Sequence, residues 1–104
     1  MINFRPSQDA IMNSIVNSHI EQVKELLESK GWEKNKTNLS LKKGGKSIAF
    51  DKIENHIGKH FDINLFNSLD TSDDHLIGAI FCFDYQTKQP RPAEAIAQMV
   101  ESSF

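Results

Sequence analysis

The sequence predicts a single-domain α+β sandwich, in which a small, mainly antiparallel sheet (a hairpin plus a central strand) packs with three or so helices. Three observations predict it: an apolar stripe at helical spacing near the start, a hairpin whose turn and side-chain pattern agree, and an uncharged strand-like run near the end. With 104 residues, one core spanning positions 1–104 can bury roughly two thirds of the surface that the unfolded chain exposes.

The stripe comes first. Between Gln8 and about Ser29, the residues Ile11, Met12, Ile15, Val16, Ile20, Val23, Leu26 and Leu27 recur at spacings of three and four, lining one side of a helix. Ser7 behind Pro6 suits its N-cap, and Gly31 behind Lys30 its stop. Asn13, Asn17, Glu21, Lys24, Glu25 and Glu28 make the polar side, and His19 sits at the stripe's edge as a structural or exposed histidine.

In the stretch NLSLKKGGKSIAF, a two-residue loop at Gly44 and Gly45 pairs Lys43 with Lys46, Leu41 with Ile48 and Leu39 with Phe50. Every apolar pair then falls on one face, with Ser40, Lys42, Ser47 and Ala49 on the other, and a slip of one residue would destroy that agreement. The preceding GWEKNK adds a short edge strand, with Trp32 packing under the helix.

Asp51 followed by Glu54 is a capping pattern, and Ile53, Ile57 and Phe61 at a spacing of four predict a second helix over roughly 52–60, weakened by Gly58. Asp62 then caps a short turn in INLFNSL, and DTSDD is a loop. From His75 to Tyr85 the run HLIGAIFCFDY reads as a strand with Ile77, Ala79, Phe81 and Phe83 on one face and Leu76, Ile80 and Cys82 on the other. Apolar on both faces, it is expected to be central and covered on both, by a helix on each or by a second copy of the chain on one. After the loop QTKQPRP, Pro92 takes the first position of a closing helix that carries Ile96, Met99, Val100 and Phe104.

The motifs that carry chemistry mostly fail on inspection. His56 and His60 would share one face of the second helix as zinc ligands do, but the zincin glutamate position holds Ile57 and that of the inverted form holds Lys59. KKGGKS has Ser40 where a phosphate loop needs its first glycine, and a strand pattern follows it. DTSDDHLIGAIF lacks the central glycine and final glutamate of a calcium loop. Cys82, between Phe81 and Phe83, reads as an inert core thiol. No catalytic residue, cofactor or metal is assigned.

A lone cysteine makes no internal disulfide, the first nineteen residues lack the pattern of a secretory signal, and no apolar run approaches the ~20 residues needed to cross a bilayer. The expectation is a cytoplasmic protein without a membrane partner. The net charge of -2 conceals segregation: residues 1–29 carry 2 basic and 4 acidic groups, residues 30–59 carry 8 and 3, and residues 60–104 carry 2 and 7.

Missing chemistry and segregated charge lead to a non-enzymatic protein-binding protein, most concretely a bacterial immunity or inhibitor protein that neutralises a basic nuclease toxin. Asp70, Asp73, Asp74, His75 and Asp84 are its partner-binding candidates. One alternative is a nucleic-acid-binding domain using Lys34, Lys36, Lys42, Lys43 and Lys46 of the basic hairpin, which offers no outward aromatic for base stacking. Another is a small hydrolase or ribonuclease in which His56, His60 and His75 converge. The two-faced strand and the apolar closing helix also raise a homodimer.

Overall fold

The computed structural model describes residues 8–56 and 58–104, with side chains from residue 12 onward. The expected Ser7 cap, the side chain of Ile11 and the place of Ile57 in a buried series lie outside the described residues.

Helix α1 (Gln8–Glu28) realises the first stripe. Val16, Ile20, Val23 and Leu27 recur on one side and are buried. The helix stops at Gly31, whose φ of 100° favours a residue without Cβ. Gly31 N–H donates to the Glu28 carbonyl and Trp32 N–H to the Leu27 carbonyl, each at 3.1 Å. This is the paired capping of a Schellman motif, with buried Leu27 and Trp32 supplying its hydrophobic contact.

Two α1 residues depart from expectation. Ile15 is 55% exposed, because the face that meets the sheet is narrower than the stripe and Ile15 is one position round from Val16. Lys24 is buried instead of lying on the polar side: its Nζ donates to the Asn38 carbonyl at 2.7 Å and lies 3.4 Å from Glu21. A backbone acceptor and a carboxylate replace the water its ammonium gives up.

Strands β1 (Glu33–Lys34), β2 (Ser40–Lys43), β3 (Lys46–Asn55), β4 (Gly58–Phe66) and β5 (Leu76–Phe81) form a five-stranded sheet in chain order, every neighbouring pair antiparallel. The Gly44–Gly45 hairpin has the expected register, with Lys43 opposite Lys46 and Leu41 opposite Ile48. Phe50 N–H reaches the Leu39 carbonyl at 2.7 Å. Ser40 and Ser47, on the face opposite Leu41 and Ile48, are nonetheless buried. The segment after β4 folds over Ser47, whose Oγ donates to the Ser68 carbonyl at 2.5 Å, while Ser40 Oγ is held by Thr37 in the loop before β2.

The expected helix over 52–60 is instead the far half of β3 and the start of β4, with Asn55 opposite Gly58 and His56 in the turn. Gly58, read as a helix weakness, has a φ of 124° in that turn. Nor does Asp62 cap a turn, since β4 continues through Phe61, Ile63 and Leu65, which are buried on one face at a period of two. The DTSDD loop holds a single 3-10 turn, Asp73–His75.

The run His75–Tyr85 corrects a second expectation. Its regular part, β5, is at the edge of the sheet, and a separate strand β6 (Phe83–Asp84) pairs with β7 (Gln89–Pro90). Ile80 and Cys82 are buried, whereas Leu76, Ile77 and Phe81 are exposed. Helix α2 (Ala93–Ser102) follows with Pro92 as its N-cap, one position earlier than expected.

There are thus two α-helices among the described residues, and both lie on one side of the sheet. α1 packs on α2 and β4, and α2 on β5. Val16, Ile20, Val23 and Leu27 of α1 and Ile96, Ala97 and Val100 of α2 close one core with Leu41, Ile48, Phe50, Phe61, Ile63, Leu65 and Ile80. Trp32 joins the two ends of this core: its Nε1 donates to Glu101 Oε1 at 2.8 Å, its ring is 5.8 Å from that of Phe104, and Lys43 lies 3.4 Å from the same carboxylate. No helix among the described residues is long and apolar enough to cross a membrane.

Candidate functional site: the open sheet face

With both helices on one side, the other face of the sheet is left to loops. The strand register assigns its occupants row by row. Asp51, Asp62 and Phe81 are directly opposite one another across β3, β4 and β5, and Ala49, Asn64 and Ala79 form the next row. Ser47 and Phe66 follow, buried where the loop crosses. In the other direction Ile53 is opposite His60.

His60 anchors an aromatic cluster at that end. It is buried, its ring is 5.3 Å from Phe83 and 5.9 Å from Tyr85, and its Nε2 is 3.0 Å from Tyr85 Oη. Phe83 and Tyr85 meet edge to face at 5.4 Å. Between this cluster and the loop over Ser47 lie the row Asp51–Asp62–Phe81, with Phe81 exposed, and the row Ala49–Asn64–Ala79.

The acidic pair is electrostatically uncomfortable. Residues directly opposite in an antiparallel pair have Cβ atoms about 5 Å apart, where like charges repel. Burial pushes the Asp62 carboxyl above the ordinary range; His60 nearby draws it back down, Asp51 raises it further, and the Cys82 N–H lowers it. Asp62 Oδ1 and His60 Nδ1 are both buried without a hydrogen-bond partner. On the opposite side of the sheet, burial is also the main reason why the Cys82 thiol is pushed up to about 12.

The expected acidic residues border this face and do not form one patch. Asp70, Asp73, Asp74 and His75 lie in the exposed loop before β5, and Asp84 follows it, so the two groups bracket the strand. Asp84 also holds its own turn together, because its Oδ1 accepts from Gln86 N–H at 2.9 Å, the chief reason its carboxyl is held below the ordinary range. Asp70 Oδ1 similarly accepts from Ser72 N–H at 3.1 Å.

The lysines are divided. Lys43 and Lys46 turn to the helix side, Lys43 donating to the Lys30 carbonyl at 2.8 Å and Lys46 standing 5.2 Å over the Phe104 ring. Lys42, opposite Ser47, is on the open face, while Lys34 and Lys36 are exposed at the β1 edge and in the following loop. His56 is in the β3–β4 turn, and His75 is beyond the other end of β4. At ~3.4 Å per residue, the six steps along β4 from His60 to Phe66, which is opposite Leu76, hold His60 and His75 roughly 20 Å apart. Among the described residues, no three His, Cys, Asp or Glu side chains come together as a metal site.

Sequence reasoning misses Asp51, Asp62, His60 and Tyr85 as neighbours. The signal was present in the alternation of Phe61, Ile63 and Leu65, which extends a strand back through His60 and leaves Asp62 on the face opposite the core. Compared with known proteins, the chain matches no family model, no curated protein and no solved structure.

Proposed function

We propose that this chain is a non-enzymatic protein-binding protein that receives a basic partner on its open sheet face, in its most concrete form a bacterial immunity protein that neutralises a basic nuclease toxin in the cytoplasm. The row Asp51–Asp62–Phe81 carries this reading. Two carboxylates held opposite each other, one with a buried and unpartnered oxygen, cost stability that the Cys82 N–H bond to Asp62 offsets only in part. A guanidinium from a partner relieves the repulsion between the two carboxylates, because its fork of donors matches carboxylate oxygens and its plane stacks on an exposed ring.

The surroundings fit an interface of that kind. Phe81, Ala79 and Tyr85 offer an exposed apolar centre, and Asp70, Asp73, Asp74 and Asp84 supply a charged border. Border charges act chiefly by steering encounter, whereas a carboxylate pair that becomes covered on docking acts on the lifetime of the complex. The nucleic-acid alternative has less support, because two of its five lysines are engaged on the helix side.

The test mixes the protein with the basic protein encoded beside its own gene and follows complex formation by calorimetry and stopped flow. A one-to-one complex is expected. Asp51→Asn with Asp62→Asn should speed dissociation at least tenfold, while Asp73→Lys with Asp74→Lys should slow association in a salt-dependent manner. Unchanged affinity in the Asp51/Asp62 variant would refute the docking face. Binding of labelled RNA or DNA at low salt, abolished at moderate salt and by Lys34→Ala with Lys36→Ala, would favour the nucleic-acid alternative.

A further inference from the structure

We propose that the partner segment received on the open face is a basic amphipathic α-helix of about three turns, laid along β5. This rests on the docking reading above and adds the shape of what docks. Asp62, Asn64 and Phe66 alternate along β4 with the core residues Phe61, Ile63 and Leu65, so their opposite numbers Phe81, Ala79 and Leu76 face the open side with them. All three β5 residues are exposed, Leu76 to 44% and Phe81 to 58%. Over four steps of β4 at ~3.4 Å each, they form an apolar line one strand wide and roughly 14 Å long.

The form of the line selects its occupant. A second sheet needs apolar residues on several neighbouring strands, and Asn64, Asp62 and Asp51 beside the line deny it that. An added strand needs a run of free hydrogen-bonding groups along the edge of β5. That edge is interrupted at both ends: the register slips between Leu65 and Phe66, skipping Ile77, and Arg91 Nε takes the Phe81 carbonyl at 3.0 Å. A single helix needs only one line. Its residues at i, i+4 and i+8 rise ~6 Å apart, close to the ~6.8 Å between alternate residues of a strand, so three side chains of one stripe meet Leu76, Ala79 and Phe81 in turn.

Charge sets the composition of the helix. Asp73 and Asp74 come just before Leu76 at one end of the line, and Asp51 and Asp62 share the row of Phe81 at the other. A stripe bordered by arginine or lysine meets acid at both ends, whereas one bordered by glutamate or aspartate is repelled at both.

Two synthetic peptides of about 18 residues and identical leucine- and arginine-rich composition test this, one with its leucines on a single helical stripe and the other with them spread around the helix. Calorimetry should show the striped peptide binding at least tenfold tighter, and far-UV circular dichroism should show it gaining helix as it binds. Phe81→Ser and, separately, Leu76→Ser should each remove most of that preference. Both positions are exposed, so if one variant fails to fold the other still reports. Asp51→Asn with Asp62→Asn should weaken the two peptides alike. Equal affinities, a striped peptide indifferent to both serine variants, or no binding of either peptide at about 1 mM would overturn the helix. Where equal affinities still fall in the Asp51/Asp62 variant, the docking face itself stands. A preference for the striped peptide that ignores the Asp51/Asp62 change would support the apolar line and refute the carboxylate row instead.

Discussion

Replacing Asp62 by Asn should stabilise the fold and weaken its docking in the same molecule. The substitution keeps the shape of the side chain and an acceptor for the Cys82 N–H, but removes one of two charges that the β3–β4 register holds opposite each other. A directly opposed like-charge pair costs about 0.2–1 kcal/mol, and solvent reaches part of this site, so a gain of about 0.5 kcal/mol at neutral pH is expected. For a domain of about 100 residues that corresponds to a rise of roughly 2–4 °C in Tm.

The sign of the pH dependence follows from the raised carboxyl. Because the folded state binds the Asp62 proton more readily than the unfolded chain does, the wild type is penalised above the raised value and relieved as pH falls through it. The advantage of the Asn variant should therefore be full at pH 7 and vanish below about pH 4, where the carboxylate is protonated in both states. It should also shrink in high salt. Urea titrations of both proteins at pH 7 and below pH 4, each at low and high salt, give the four differences. A loss of stability at pH 7, or a gain independent of pH, would refute the reasoning and make Asp62 a structural carboxylate.

Two further outcomes are accessible with the isolated protein. Cys82, buried with its thiol pushed up to about 12, should resist iodoacetamide at pH 8 in the native state and react only as the chain unfolds, so labelling should track the urea transition. Gly31→Ala should cost about 1–2 kcal/mol, since a Cβ is strained at a φ of 100°, while Gly31→Asn should cost less; equal losses would show that crowding and not backbone conformation sets the penalty.

α1 and the Gly44–Gly45 hairpin are legible because two signals coincide at each: periodicity with a glycine stop, and a turn with a matching apolar register. The stretch from Ile53 to Phe61 misleads because three apolar residues happen to stand four apart, while the alternation that decides for a strand begins only at Phe61. That misreading also hides the candidate site. Asp51 and Asp62 are eleven positions apart and become neighbours only through the register of a long hairpin, so a helix drawn between them separates what the sheet joins. For β5, apolar residues on both faces announce that contacts exist without saying which are made within one chain.

The order of the sheet has a kinetic consequence. Each strand lies beside the one that precedes it in the chain, so the whole meander can zip through hairpins and one loop with little long-range searching. α2 is different, because it returns to α1 from the opposite terminus, and Glu101 meets Trp32 across 69 positions. Closing that loop is the entropically demanding event, and it brings reward only once Ile96 and Val100 enter the core. Refolding should accordingly end with α2 latching onto a sheet already formed, and loosening the Trp32–Glu101 clasp should quicken escape from the native state while leaving the rate of return almost untouched.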